Sequence, residues 1–182
     1  MKTAGERVTA KEWNSLMRSC VSAEEKRLVM KKMAAAGTPA NEYTYATLMN
    51  GYSRPDDIRA VMEEMIASNL KPDSACWNIL MKACPSLKTR RKVANDMSAA
   101  GIKLDIISWN ILMDSSTNPG VIRNIMREMR AAGVSPDVKS FTVLMMAQKR
   151  AIDRRGVMSE MTSHGIQSNE TTWTSLMTSY AE

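Results

Sequence analysis

The chain has 182 residues, 44% of them apolar and 24% charged, the balance of a folded domain rather than a disordered segment. No apolar run reaches the roughly 18 residues of a membrane span, and the opening MKTAGERVTAKEW has neither the apolar core of a secretory signal nor the character of a transit peptide. Three cysteines (Cys20, Cys76, Cys84) without CxxC spacing and a single histidine exclude a disulfide framework and a His-based metal site, so no metal or cofactor is expected; the net charge of +6 favours polyanionic partners without specifying one.

Past a lead-in of residues 1–9, the chain repeats itself every 32 residues without insertion. Trp13, Tyr45, Trp77, Trp109, Phe141 and Trp173 form one column, Leu16, Leu48, Leu80, Leu112, Leu144 and Leu176 a second, and Met17, Met49, Met81, Met113, Met145 and Met177 a third. A fourth, Met33, Met65, Met97, Met129 and Met161, assigns most of the methionine to a repeated core. Trp13, Leu16, Met17 and Cys20 fall at i, i+3, i+4 and i+7, one face of a helix A; Ile58, Val61, Met62 and Met65 give the same signature for a helix B.

The ends of these helices are also written in the sequence. Thr9 with Glu12 and Ser22 with Glu25 have capping-box spacing, and Pro55 and Pro119 stand where helix B should begin. Gly37, Asn69, Gly101, Gly133 and Gly165 occupy the left-handed position after helix B, and the small residues Ser19, Gly51, Ala83, Ser115, Ala147 and Ser179 end helix A where backbones can approach. A hairpin of this kind cannot bury its apolar stripe alone. The expected fold is therefore all-α, an α-solenoid of antiparallel helix-hairpin repeats at 10–41, 42–73, 74–105, 106–137 and 138–169, with a terminal half-repeat helix in 170–182.

The unit IISWNILMDSSTNPGVIRNIMREMRAAGVSPD, with an aromatic and Asn opening helix A, MREM late in helix B and a closing Gly-x-x-Pro-Asp, resembles a pentatricopeptide repeat, and the resemblance covers almost the whole chain. It implies a right-handed solenoid. The units here are uniformly shortened, with residues missing from the turn between helices A and B. The resemblance further implies single-stranded RNA lying along the A helices, one base per repeat, specified by the residue after the aromatic and the last residue of the repeat. Those pairs are Asn14 with Asn41, Ala46 with Asp73, Asn78 with Asp105, Asn110 with Asp137, and Thr142 with Asn169, followed by Thr174 without a partner. By resemblance they read 5′-pyrimidine, unassigned, U, U, A. The column Lys11, Tyr43, Ala75, Ile107, Lys139 and Thr171 would wedge between neighbouring bases, with Tyr43 and Ile107 the best suited to it.

Each family-implied column has a structural counterpart. The last-of-repeat residues are all good N-caps for the following helix, which explains that column as well as base reading does. The Asn column is different, because Asn costs roughly half a kcal/mol against Ala inside a helix and capping gives it no reason to recur. A further column, Arg27, Arg59, Arg91, Arg123 and Arg155, is wholly basic; its residues four positions on share no acidic character. It is open to three readings: a hydrated stripe whose stems cover the core edge, contacts to backbone carbonyls between repeats, or a row of phosphate contacts.

No catalytic constellation recurs, so an enzyme is not expected; His164 falls at the end of a helix B, where a cation is locally favoured. Two functions remain: a base-selective binder of single-stranded RNA supporting RNA processing, stability or translation in a mitochondrion or chloroplast, or an architectural solenoid in a larger organellar assembly such as a ribosome, contacting protein subunits or structured RNA.

Overall fold

The computed structural model describes residues 8–177, which form eleven α-helices and no strand. The first seven residues and residues 178–182, including Ser179 and the outer parts of the expected lead-in and terminal half-repeat, lie outside the described residues. In chain order the helices are α1 (Ala10–Ser19), α2 (Ala23–Ala35), α3 (Glu42–Met49), α4 (Pro55–Ala67), α5 (Ser74–Ala83), α6 (Leu87–Ala99), α7 (Ile106–Met113), α8 (Pro119–Ala131), α9 (Val138–Met146), α10 (Ala151–Ser163) and α11 (Glu170–Met177). Odd-numbered elements are the short A helices, and even-numbered elements are B helices of 13 residues each. The fold is the helix-hairpin repeat of the α-solenoid class.

The backbone divides into two compact units, Met1–Cys84 and Pro85–Glu182. In the first, α3 packs against α1, α2, α4 and α5. In the second, α9 packs against α7, α8, α10 and α11. Both cores are made from the repeat columns: Met17, Leu48, Met49, Leu80 and Met81 in one unit, and Met113, Leu144, Met145, Met129 and Met161 in the other, are 0% exposed. Each such side chain contributes about 1.5–3 kcal/mol relative to exposure. Leu16 departs from its column and is 48% exposed, because no described hairpin precedes α1 to cover it.

Local chemistry ends each helix where expected. Thr9 and Ser22 close capping boxes with Glu12 and Glu25, and Pro55 and Pro119 open α4 and α8. After every B helix one residue takes a positive φ: Gly37, Gly101, Gly133 and Gly165 at 73° to 80°, and Asn69 at 59°. That turn lets the next amide, in Thr38, Leu70, Ile102, Val134 or Ile166, donate to the carbonyl of the repeated core Met. Only Gly adopts this backbone without cost, and Asn is the commonest substitute.

Candidate nucleic-acid interface

The site is built from the first turns of the A helices. The final residue of each repeat caps the next A helix: Asn41 Oδ1 accepts from the amide of Thr44, Asp73 from Cys76, Asp105 from Ser108, Asp137 from Ser140 and Asn169 from Thr172, at 2.8–3.0 Å. Capping is therefore satisfied throughout this column. It does not exhaust the side chains. Asn110 Nδ2 donates to the same Asp137 Oδ1 at 3.2 Å, and Ser140 Oγ donates to Asn110 Oδ1 at 2.7 Å. Asn14 Nδ2 makes the equivalent, longer contact to Asn41 Oδ1 at 3.5 Å. In these two pairs the members, 27 residues apart in sequence, meet in space.

Asn14, Asn78, Asn110 and Thr142 are buried, whereas Thr174 is exposed. Burial works against ionisation of Asp137, but the hydrogen bonds from the Ser140 amide and hydroxyl and from Asn110 outweigh it and hold the carboxyl below the ordinary range. Asn14 Oδ1 is buried with no partner, an acceptor left open beside the first pair. The wedge column has the opposite character: Lys11, Tyr43, Ala75, Ile107, Lys139 and Thr171 are all exposed. In α1, α5, α7 and α9 the first column supplies a recessed polar group and the second a protruding side chain; in α3 the recessed position is Ala46, and in α11 both residues are exposed.

Three surface cavities follow this register. The first, about 390 Å³, is lined by Lys11, Asn14, Asn41 and Tyr43, with Ser15 and Arg18. A second, about 560 Å³, takes in Tyr43, Ala46, Asp73 and Ala75. Another, about 500 Å³, takes in Lys139, Thr142, Asn169 and Thr171. Each holds a complete pair together with the protruding residue of its own repeat and that of the next. The protruding residues are themselves tied to the preceding A helix: Arg18 Nη1 lies 3.5 Å from the Tyr43 hydroxyl, and Lys139 Nζ 3.3 Å from Asp114 Oδ2.

The arginine column lies on the B helices and has a partner the sequence reading missed. Arg27 forms a two-pronged ion pair with Glu64, Arg91 does the same with Glu128, and Arg123 Nη1 meets Glu160 Oε2, all at 2.7–3.0 Å. Each bond links a B helix to the B helix of the next repeat. The hydrogen bond from Arg27 holds the Glu64 carboxyl below its ordinary value against the opposing effect of burial. Glu64, Glu128 and Glu160 are themselves a repeat column, so the signal lay at i+37 rather than i+4. For Arg27, Arg91 and Arg123 the structure supplies an inter-repeat carboxylate, a fourth role beside the three expected.

Among the described residues no helix is long and apolar enough to cross a membrane, and no group of three His, Cys, Asp or Glu side chains could hold a metal ion. Burial pushes the Cys76 thiol up to about 12, which keeps it protonated and unreactive. His164 caps α10 through its backbone, and its ring stacks at a tilt 5.9 Å from Phe141.

The pentatricopeptide repeat domain family matches residues 92–150. No curated protein has a significantly matching sequence. Among solved structures, the chain is similar to the pentatricopeptide repeat protein PPR10 in complex with an 18-nt psaJ RNA element, with a TM-score of 0.76 and 20% identity over 94% of this chain and 28% of that one. PPR10 from maize gives a TM-score of 0.59 at 21% identity, covering 94% of this chain and 27% of that one. The PPR domain of Arabidopsis thaliana protein-only RNase P 1 in complex with tRNA gives 0.65 at 13% identity, covering 94% and 97% respectively. The chain thus spans less than a third of the length of PPR10.

Proposed function

We propose that the chain, whose residues 92–150 match the pentatricopeptide repeat domain family, is a protein of that kind and binds single-stranded RNA along its A helices, one base per repeat, in support of organellar RNA processing, stability or translation. The observation that carries this reading is the register of the three cavities. Each contains one complete proposed base-specifying pair between two protruding residues, the arrangement needed to receive an unstacked base on its edge while its faces are flanked.

The pairs assign the order 5′-pyrimidine, any base, U, U, A. Lys11, Tyr43, Ala75, Ile107, Lys139 and Thr171 separate the bases, with the apolar bodies of Tyr43 and Ile107 giving the strongest contacts. No step of chemistry is assigned to the chain. A mitochondrial or chloroplast location carries over from the family.

Gel shifts on short RNAs test the reading. RNA carrying the pyrimidine-N-U-U-A core should bind more tightly at moderate salt than a scrambled RNA or a folded tRNA. Equal binding to all three would sink base reading. Binding to tRNA alone would favour an architectural role on structured RNA.

A further inference from the structure

One cation reaches the second cavity from an unexpected direction. Lys26 belongs to the first turn of α2, a B helix, yet it is only 8% exposed and lines the same cavity as Ala46 and Asp73. Its stem crosses Gly51, where a Cβ would stand 3.1 Å from Lys26 Cδ and 3.0 Å from the Ala23 backbone. The absence of a side chain at position 51 is what lets the lysine pass. The equivalent residues of two later repeats, Arg90 and Arg154, also reach an A helix but donate to the carbonyls of Ile111 and Ser175. Lys26 makes no hydrogen bond or ion pair among the described residues, and its ammonium group is left for the cavity.

The stem of Lys26 is buried while its ammonium, without a protein partner, is presented to the cavity, where an anion would complete it. The exposed guanidinium of Arg18 lines the same cavity. Two carboxylates, Glu42 and Asp73, line it as well; both are exposed, Asp73 caps α5 through one oxygen, and neither forms an ion pair with Lys26. Position 46, which elsewhere carries Asn or Thr, is Ala and offers no polar group to a base.

We propose that Lys26 and Arg18 form a phosphate site in the second cavity, so that this repeat anchors the RNA backbone where the others read bases. The site deepens the RNA-binding reading and rests on it. The oxyanion sits between the two cations, with the ammonium donating up to three hydrogen bonds and the guanidinium forking onto the remaining oxygens. The same chemistry accepts free inorganic phosphate, and the two sources are separable.

The test compares Lys26→Met, which keeps the stem across Gly51, with the unaltered protein. The slope of log affinity for the U-U-A RNA against log salt should fall by about 0.7, the loss of one phosphate contact on a single strand, with no fall in the melting temperature. Arg18→Met should produce a fall of the same kind. In parallel, inorganic phosphate is titrated into RNA-free protein while the Gly51 amide is followed by NMR. A shift abolished by Lys26→Met supports the anion site whether or not RNA binds. If the unaltered protein binds no RNA, the RNA reading fails independently. An unchanged salt slope together with a silent phosphate titration overturns the site itself.

Discussion

Asn110 and Asp137, at opposite ends of one repeat, share a hydrogen bond of 3.2 Å, and Ser140 closes the group, its amide donating to Asp137 Oδ1 and its hydroxyl to Asn110 Oδ1. The arrangement couples two roles. Asp137 Oδ1 caps α9 and simultaneously accepts from the Asn110 amide, so the cap holds that side chain in one orientation.

The first prediction concerns specificity. Replacing Asn110→Thr and Asp137→Asn together reproduces the Thr142 and Asn169 pair, and both caps remain serviceable because Asn equals Asp at the N-cap. The preferred base at that position should move from U to A, by about 1–3 kcal/mol of discrimination if the contact resembles other good hydrogen-bonded base readings. Competition between two RNAs differing at that base measures it. An unchanged preference would show that the pair is structural only.

Much of this was legible in the sequence because the period is strict. The aromatic, Leu and Met columns dictated the core, and the Gly and Asn column dictated the left-handed turns, since those positions obey short-range rules. What stayed hidden were contacts made between repeats. Arg27 reads as unpaired when its own helix is searched, because Glu64 lies beyond an intervening A helix. Lys26 reads as an ordinary surface lysine, because its burial depends on the missing side chain of Gly51. Leu16 obeys its column in sequence but is half exposed among the described residues.

The pH response follows from the depressed carboxyls of Asp137 and Glu64. A group whose folded pKa lies below its unfolded value adds stability above the unfolded value and loses it as pH falls through the folded one. The protein should therefore lose stability on acidification below the ordinary carboxylate range, near 4. Asp137→Asn should lessen that loss by lowering the neutral-pH melting temperature toward the acid value, because the amide still caps α9 but lacks the stabilisation that the ionised carboxylate supplies at neutral pH. Melting curves at neutral pH and near pH 3 check this. An acid loss as large in the variant as in the unaltered protein would contradict it.

The Arg–Glu ladder makes a separable prediction. Arg91 and Glu128 are about two-fifths exposed, at 41% and 43% of their side chains, so solvent screens the pair. A double-mutant cycle with Arg91→Met and Glu128→Gln should return a coupling of about 0.2–1 kcal/mol that shrinks at high salt. Because these guanidinium groups are already neutralised by carboxylates, Arg91→Met with Arg123→Met should leave the salt dependence of RNA binding unchanged. A lower slope would restore phosphate contacts to the column.

The last prediction comes from the aromatic column and the residue that ends each B helix. Tyr45 pairs its hydroxyl with Ser68 Oγ at 2.8 Å, and Ser68 in turn donates to the carbonyl of Glu64. Trp13, Trp77 and Trp109 stand in the same column, and the residues that correspond to Ser68 are Ala36, Ala100 and Ala132. Their three indole Nε1 atoms are buried without a hydrogen-bond partner. An orphaned buried donor costs about 1–3 kcal/mol. Trp109 and Ala132 line one cavity of about 480 Å³, which leaves room for a hydroxyl. The backbone at Ala132 (φ −79°, ψ 3°) also matches that at Ser68 (φ −84°, ψ 13°). Ala132→Ser should therefore supply an acceptor for the indole and stabilise the protein by about 1 kcal/mol. The gain should vanish in a Trp109→Phe background, where there is no donor to satisfy. Equal gains in both backgrounds would assign the effect to the helix end rather than to the indole.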